Sequence, residues 1–235
     1  AMVKGGFFMH CSGTNDGDIG AVAAVSTYLR RRGLKAGLVS FDAHGDYNSY
    51  ATSPSRNLHG MHNAVATLRW MQREGYLAYI GSRDIKNPER KIDPENMLLV
   101  GGRAFDPLEE ILLKIDRVNV LPMAGIEYAK RQGRLAETFA ERYHHATQGV
   151  DAVIVSIDFD VLDPDIEEVK PGRLAVTMQE PNGLQTKDLK LMLETIGKGP
   201  KPVIALLGSE LNSGTGHDPQ EKSFDVAVDI VEDFL

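Results

Sequence analysis

One cysteine, Cys11, is all the thiol that this 235-residue chain contains. An intramolecular disulfide is therefore excluded, and none of the Cys spacings of structural zinc sites can be written. A lone cysteine agrees with a reducing cytoplasm, which is the expected location. Long apolar runs are missing too. No stretch approaches the roughly 20 residues that span a bilayer, and no signal-peptide pattern is present, so no membrane partner is expected. Positive charge is in deficit, with 26 Lys and Arg against 33 Asp and Glu and a formal net charge of −7. That excludes the basic surface which sequence-independent nucleic-acid binding requires. Internal repeats, low-complexity tracts and linkers are also lacking. What remains, 42% hydrophobic and 25% charged residues, is the composition of one globular domain over residues 1–235.

Short apolar runs alternate with helical patterns. Strands are expected at 7–9, 37–41, 77–80, 97–100, 118–121, 152–157 and 203–207. Helices are expected at 19–32, 62–74, 107–115, 126–132, 135–147, 186–197 and 224–234. Such alternation predicts an α/β fold, a mostly parallel sheet with helices on both faces.

Two segments concentrate the chemistry: Asp42-Ala43-His44-Gly45-Asp46 and Ser156-Ile157-Asp158-Phe159-Asp160. Each follows an apolar run that reads as a buried parallel strand. Open α/β sheets build their sites at the carboxyl ends of such strands. A lone Asp there is ordinarily a cap or turn former, but two clusters after two buried strands are not explained that way. Bare carboxylates brought together repel and take up protons. Divalent cations remove that conflict, so Asp42, His44, Asp46, Asp158 and Asp160 are the candidate metal ligands. An oxygen-rich set suits Mn, Mg or Ca, and the single imidazole tilts the choice toward Mn²⁺. Bridging carboxylates let five ligands hold two ions, an arrangement that makes hydroxide from water and stabilises a charged transition state.

These segments resemble the ureohydrolase family of arginase, agmatinase and formiminoglutamase, and are closest in motif to arginase. The family's Asp-Ala-His-x-Asp motif matches Asp42 to Asp46, and its Ser-x-Asp-x-Asp-x-x-Asp-Pro motif matches Ser156 to Pro164. The resemblance runs from about Asp18 to the C-terminus. It implies a three-layer α/β/α fold and a binuclear Mn²⁺ centre in which Asp42 and Asp158 bridge the ions. It also implies hydrolysis of a guanidino C–N bond with release of urea or a related product. Asp46 would accept the proton of the attacking water and pass it to the leaving amine. His59 would match the family's proton-shuttling histidine, and Glu210, in Ser209-Glu210-Leu211-Asn212, would face the guanidinium. In the loop from Ser53 to Gly60, Ser55 and Asn57 would join Asn48 in holding a substrate carboxylate. The partner implied is a small guanidino substrate, with a homo-oligomer, trimer or hexamer, expected from the family.

The resemblance also has departures. Ahead of the first cluster, the family's Gly-Gly-Asp-His-Ser segment supplies one metal-binding His. Here the equivalent stretch is Ser12-Gly13-Thr14-Asn15-Asp16-Gly17-Asp18-Ile19, without a histidine. Asp18 reads as a helix N-cap, with Asn15, Asp16 or Asp18 as the alternative oxygen ligand. If none substitutes, one ion rather than two is expected. The chain is also N-terminally short relative to the family. An alternative reading follows: a catalytically impaired member with an incomplete metal site, acting as a binding or regulatory subunit. Lys86 and Asn87 stand where arginases carry an acidic residue after the Gly81-Ser82-Arg83-Asp84 segment. Three lesser features complete the reading. His144-His145 is expected to be a surface pair, Gly101-Gly102 a turn, and Pro181-Asn182-Gly183-Leu184 a family-like segment in which Asn182 tolerates positive φ.

Overall fold

The computed structural model describes residues 7–67, 91–212, 218 and 222–234. Among the described residues six strands form one sheet: β1 (Phe8–Cys11), β2 (Ala36–Phe41), β3 (Met97–Val100), β4 (Asn119–Leu121), β5 (Ala152–Asp158) and β6 (Val203–Ser209). Their order is β1-β6-β5-β2-β3-β4, and every pairing is parallel. β2 and β5 are buried throughout, as strands covered on both faces must be.

The two-residue side-chain period divides the core into two layers. Val39, Phe41, Val153, Val155 and Leu206 face one side. There they pack against α4 (Met123–Arg131), α5 (Leu135–Thr147), α6 (Thr186–Gly197) and α7 (Lys222–Phe234). Leu38, Ile154, Ala205 and Leu207 face the other, beneath α1 (Asp16–Arg30), α2 (His62–Ala66) and α3 (Pro107–Ile115). The result is the three-layer α/β/α architecture. No helix among the described residues is long and apolar enough to cross a membrane.

The expected strand at 77–80 and residues 68–74 of the expected helix 62–74 lie outside the described residues, as do Gly81-Ser82-Arg83-Asp84, Lys86 and Asn87. The elements expected at 97–100, 107–115, 135–147 and 186–197 are present with those bounds, and the others have ends shifted by up to three residues. One such shift is at α1. It begins at Asp16 with Asn15 at the cap position, so Asp18 is a residue of the first turn and not the cap. The Asp18 carboxylate is fully buried and accepts hydrogen bonds from Ser156 (3.2 Å) and Ser12 (3.3 Å). Interior hydroxyls therefore satisfy it in place of α1 amides. At the other end, Leu34 N–H donates to Leu29 O and Gly33 N–H to Arg30 O, with Gly33 at φ +73°. That is a Schellman stop, for which glycine is suited.

Register places the site. Phe41 of β2 pairs with Ile157 of β5, and Asp158 pairs with Ser209 of β6. The three central strands therefore end at one level, delivering Asp42, Asp158 and Glu210 to a common edge. Behind them Phe139 is fully buried between Phe41 and Tyr143, with ring centroids 6.1 and 6.3 Å away. Phe139→Ala is expected to cost about 3–5 kcal/mol of stability, measured by chemical denaturation. A loss under about 1 kcal/mol would show that this layer does not anchor the sheet.

Candidate metal centre

Asp42 leaves β2 with its N–H still bonded to Val100 O (3.0 Å). Its Oδ1 accepts the His44 N–H at 2.7 Å. Across the strand gap Asp160 Oδ1 accepts the Ala43 N–H (3.1 Å), and Asp158 Oδ1 accepts the Asp160 N–H (2.9 Å). One oxygen of each carboxylate thus shapes the backbone, while the other is left to face the cluster. Two glycines and an arginine enforce the loop shapes. A Cβ on Gly45 would lie 2.6 Å from the Glu109 carboxyl carbon, and one on Gly101 would lie 2.4 Å from Val161. Arg103 donates to Asp160 O (2.8 Å), Glu180 O (2.7 Å) and Pro181 O (3.0 Å), fixing the loop after β5 to the turn after β3. The turn expected at Gly101-Gly102 is present, and Asn182 adopts φ +61°.

Two candidate ligand groups result, sharing Asp42. In Asp42, His44 and Asp160, and again in Asp42, Asp46 and His62, one ligand atom of each residue lies within 4.8 Å of the others. His44 Nδ1 is 2.9 Å from Asp160 Oδ2 and 3.6 Å from Asp42 Oδ1. His62 Nδ1 is 3.1 Å from Asp46 Oδ2. Asn15 completes the second group's surroundings. Its Nδ2 donates to Asp46 Oδ2 (2.8 Å) and Asp158 Oδ2 (2.6 Å), and its Oδ1 accepts from the Ser209 hydroxyl.

The electrostatics of this arrangement call for cations. Burial, reinforced by neighbouring carboxylates, pushes Asp42, Asp46 and Asp158 well above the usual carboxylate range. Burial opposes charge on His44, but bonds to Asp160 and Asp42 outweigh it and raise its pKa to about 12. Burial lowers His62, which favours the neutral imidazole that binds metals. Asp42 Oδ2, His62 Nε2 and Glu210 Oε2 are buried and have no hydrogen-bond partner among the described residues. Orphaned acceptors amid oxygen-rich donors fit hard divalent ions of the Mn²⁺ kind.

The cluster floors a cleft of about 250 Å³. Asn48, Ser55, His59 and Glu210 line it together with His44, Asp46, Asp158 and Asp160. Asn57 is exposed and does not line it. Of the proposed oxygen substitutes, Asn15 reaches the cluster; Asp16 is exposed and accepts from Thr14, and Asp18 is engaged by Ser156 and Ser12. Asp46 and Glu210 hold positive φ, +49° and +70°, a conformation uncommon outside glycine and concentrated at functional sites. Sequence reasoning missed His62 and Glu109. The first read only as a helix start, although a histidine three residues after His59 was its one visible signal. Glu109 gave none, because it arrives on α3, where its Oε1 accepts the Tyr47 N–H at 2.7 Å. His144 and His145 are exposed, as expected. A larger apolar groove of about 590 Å³, between β1 and α7, contains none of the cluster.

Fold and cluster together define an α/β protein with a carboxylate centre suited to cations at the carboxyl edge of a parallel sheet. A sequence profile of the arginase family matches residues 4–235. An arginase from Brevibacillus brevis is 32% identical over 163 residues, covering 69% of this chain and 49% of that protein. The solved arginase of Bacillus subtilis superposes with a TM-score of 0.79 at 27% identity, over 97% of this chain and 72% of that one. Formimidoylglutamase of Bacillus subtilis, at 17% identity and a TM-score of 0.70 over 95% of this chain and 58% of that one, shares the fold. The chain belongs to the arginase family, the ureohydrolases. It spans about half the length of the curated relatives it matches.

The pKa shifts set a pH dependence. Asp42, Asp46 and Asp158 are raised above 3.8 in the folded protein, which therefore keeps protons that the unfolded chain releases. Stability falls as pH rises through that window. His44, raised from 6.5 to about 12, contributes fully below 6.5 and loses its contribution as pH climbs toward 12, so the slopes share a sign. Cations compete with these protons and bind more tightly as pH rises. Metal-stripped protein should melt at a lower temperature at about pH 8 than at about pH 6, and Mn²⁺ should raise Tm more at the higher pH. A gain that shrinks with pH, in differential scanning fluorimetry, would contradict the assignment.

Proposed function

We propose that the protein is a manganese-dependent hydrolase of a guanidino C–N bond, most like arginase, releasing urea or a related product. The observation that carries this reading is one cleft lined by His44, Asp46, Asp158 and Asp160 together with Glu210, whose Oε2 has no hydrogen-bond partner among the described residues. Asp42, His44, Asp46, Asp158 and Asp160 would hold the ions. When bound, these supply a water activated at neutral pH and a counter-charge for the transition state.

The chain's own groups do the rest. Glu210 accepts the guanidinium's fork of N–H donors in a water-poor pocket, where a charge-assisted pair is strong. Asp46 receives the proton of the attacking water and returns it to the departing amine. His59 is half-buried in the cleft wall, a place from which it would carry protons to solvent. Asn48 is tethered by its Nδ2 to Asp106 (2.9 Å), leaving a buried Oδ1 without a partner among the described residues; with Ser55 it would hold the substrate's far end. Self-association and a cytoplasmic location are expected to accompany this activity.

A second reading is a non-catalytic binding or regulatory subunit. The N-terminal segment motivates it, since it lacks the family's histidine and meets Asp46 and Asp158 with the Asn15 amide instead. Urea and ammonia release from arginine, agmatine and other guanidino compounds with Mn²⁺ separates the two. Turnover supports the hydrolase, and none from any of them with metal bound supports the subunit. In the hydrolase, Glu210→Gln should lower kcat/KM by about 10- to 100-fold, the scale of one lost charge-assisted hydrogen bond. An unchanged kcat/KM would remove Glu210 from substrate recognition.

A further inference from the structure

We infer that His62 of α2 is a metal ligand, supplying the imidazole of the second ion site in place of the histidine that the N-terminal segment lacks. The inference rests on the reading of the acidic cluster as a two-ion centre and concerns how the second site is completed.

Of Asn15, Asp16 and Asp18, Asn15 is the one that reaches the acids, but it is a poor ligand there. Both hydrogens of its Nδ2 are spent on Asp46 Oδ2 and Asp158 Oδ2, and an amide nitrogen offers no lone pair. Its Oδ1 already accepts from the Ser209 hydroxyl. Asn15 therefore acts as a cross-link that holds two carboxylates from different strands in place. His62 has what Asn15 lacks. It is 1% exposed, its Nδ1 stands 3.1 Å from Asp46 Oδ2, and its Nε2 has no hydrogen-bond partner among the described residues. Asp42 Oδ2, the other unpartnered atom of the same group, is equally buried. An unpartnered buried carboxylate oxygen is expensive unless something binds it, and here it lies in one group with the Asp46 carboxylate and the His62 imidazole.

Local structure commits the residue to this place. Ala64 N–H donates to Asp46 O (3.1 Å), and Asn63 Nδ2 donates to Gly45 O (3.0 Å). The first turn of α2 is thereby fastened to the Asp42–Asp46 loop itself, so His62 and Asp46 share one rigid unit. The first site takes its imidazole from within that loop, at His44; the second takes it from the helix packed on the loop.

The test counts ions and does not depend on turnover. Protein is stripped with chelator, reloaded with Mn²⁺, desalted, and examined by elemental analysis and electron paramagnetic resonance. Wild type is expected to hold two Mn²⁺ per chain with a spin-coupled multiline spectrum. His62→Ala should hold one, with an uncoupled spectrum, and His44→Ala should likewise lose one. His62→Gln, which preserves polarity and most of the volume, guards against a folding defect and should also lose one ion. Two ions retained by folded His62→Gln or His62→Ala, or a single ion in wild type, would overturn the inference. Two ions in wild type and one in the His62 variants, but no turnover of any guanidino compound, would sink the hydrolase reading and leave this one standing. Turnover with His62 variants that keep both ions would do the reverse.

Discussion

Carboxylate repulsion organises this molecule. Asp42, Asp46, Asp158 and Asp160 are almost wholly removed from water, and burial together with neighbouring carboxylates raises the proton affinity of Asp42, Asp46 and Asp158. Unit charges about 4 Å apart repel by about 4 kcal/mol at an effective dielectric near 20, so such a group does not stay fully ionised unaided. Something must hold these residues together against that force, and something must neutralise them. The parallel sheet does the first. Ladder hydrogen bonds between β2 and β5, in unbroken register from Ala36 and Ala152 to Phe41 and Ile157, fix the two strand ends beside each other. Protons or cations do the second, and the donor set is one that divalent cations suit.

Most of the remaining structure near the edge serves this geometry. Arg103 ties the loop after β5 to the turn after β3 through backbone carbonyls, so the loop bearing Asp160 has no freedom to relax away. Glu109, in the capping box of α3, presses on Gly45 and accepts the Tyr47 N–H, which holds the loop bearing His44 and Asp46 from the opposite side. α2 closes it from a third direction through Ala64 and Asn63. Positive φ at Asp46 is a conformation that these contacts over-determine.

Much of this was legible in the chain. β2 and β5 were readable because strands buried on both faces are continuous apolar runs, and the carboxylates after them were readable because charge directly after such a run has few places to go. Helix ends were less legible. Asp18 has the composition of a cap, yet it is carried into the interior because Ser156 and Ser12 offer it hydroxyls that local sequence does not reveal. Asn57 belongs to the same polar loop as Ser55 and His59, but it turns to the exterior while its N–H donates to the Ser55 hydroxyl.

Residue order by itself determined the layered fold, the two acidic segments and the family, since hydrophobic period and motif spacing are local properties of the chain. Tertiary structure decided which imidazoles meet the acids. His44 is two residues from Asp42 and could be read from spacing. His62 reaches Asp46 from 16 positions away, and Asn15 from 31. Those approaches exist only after α1 and α2 dock on the sheet edge, because packing of separate elements, and not local backbone preference, sets the distance between them.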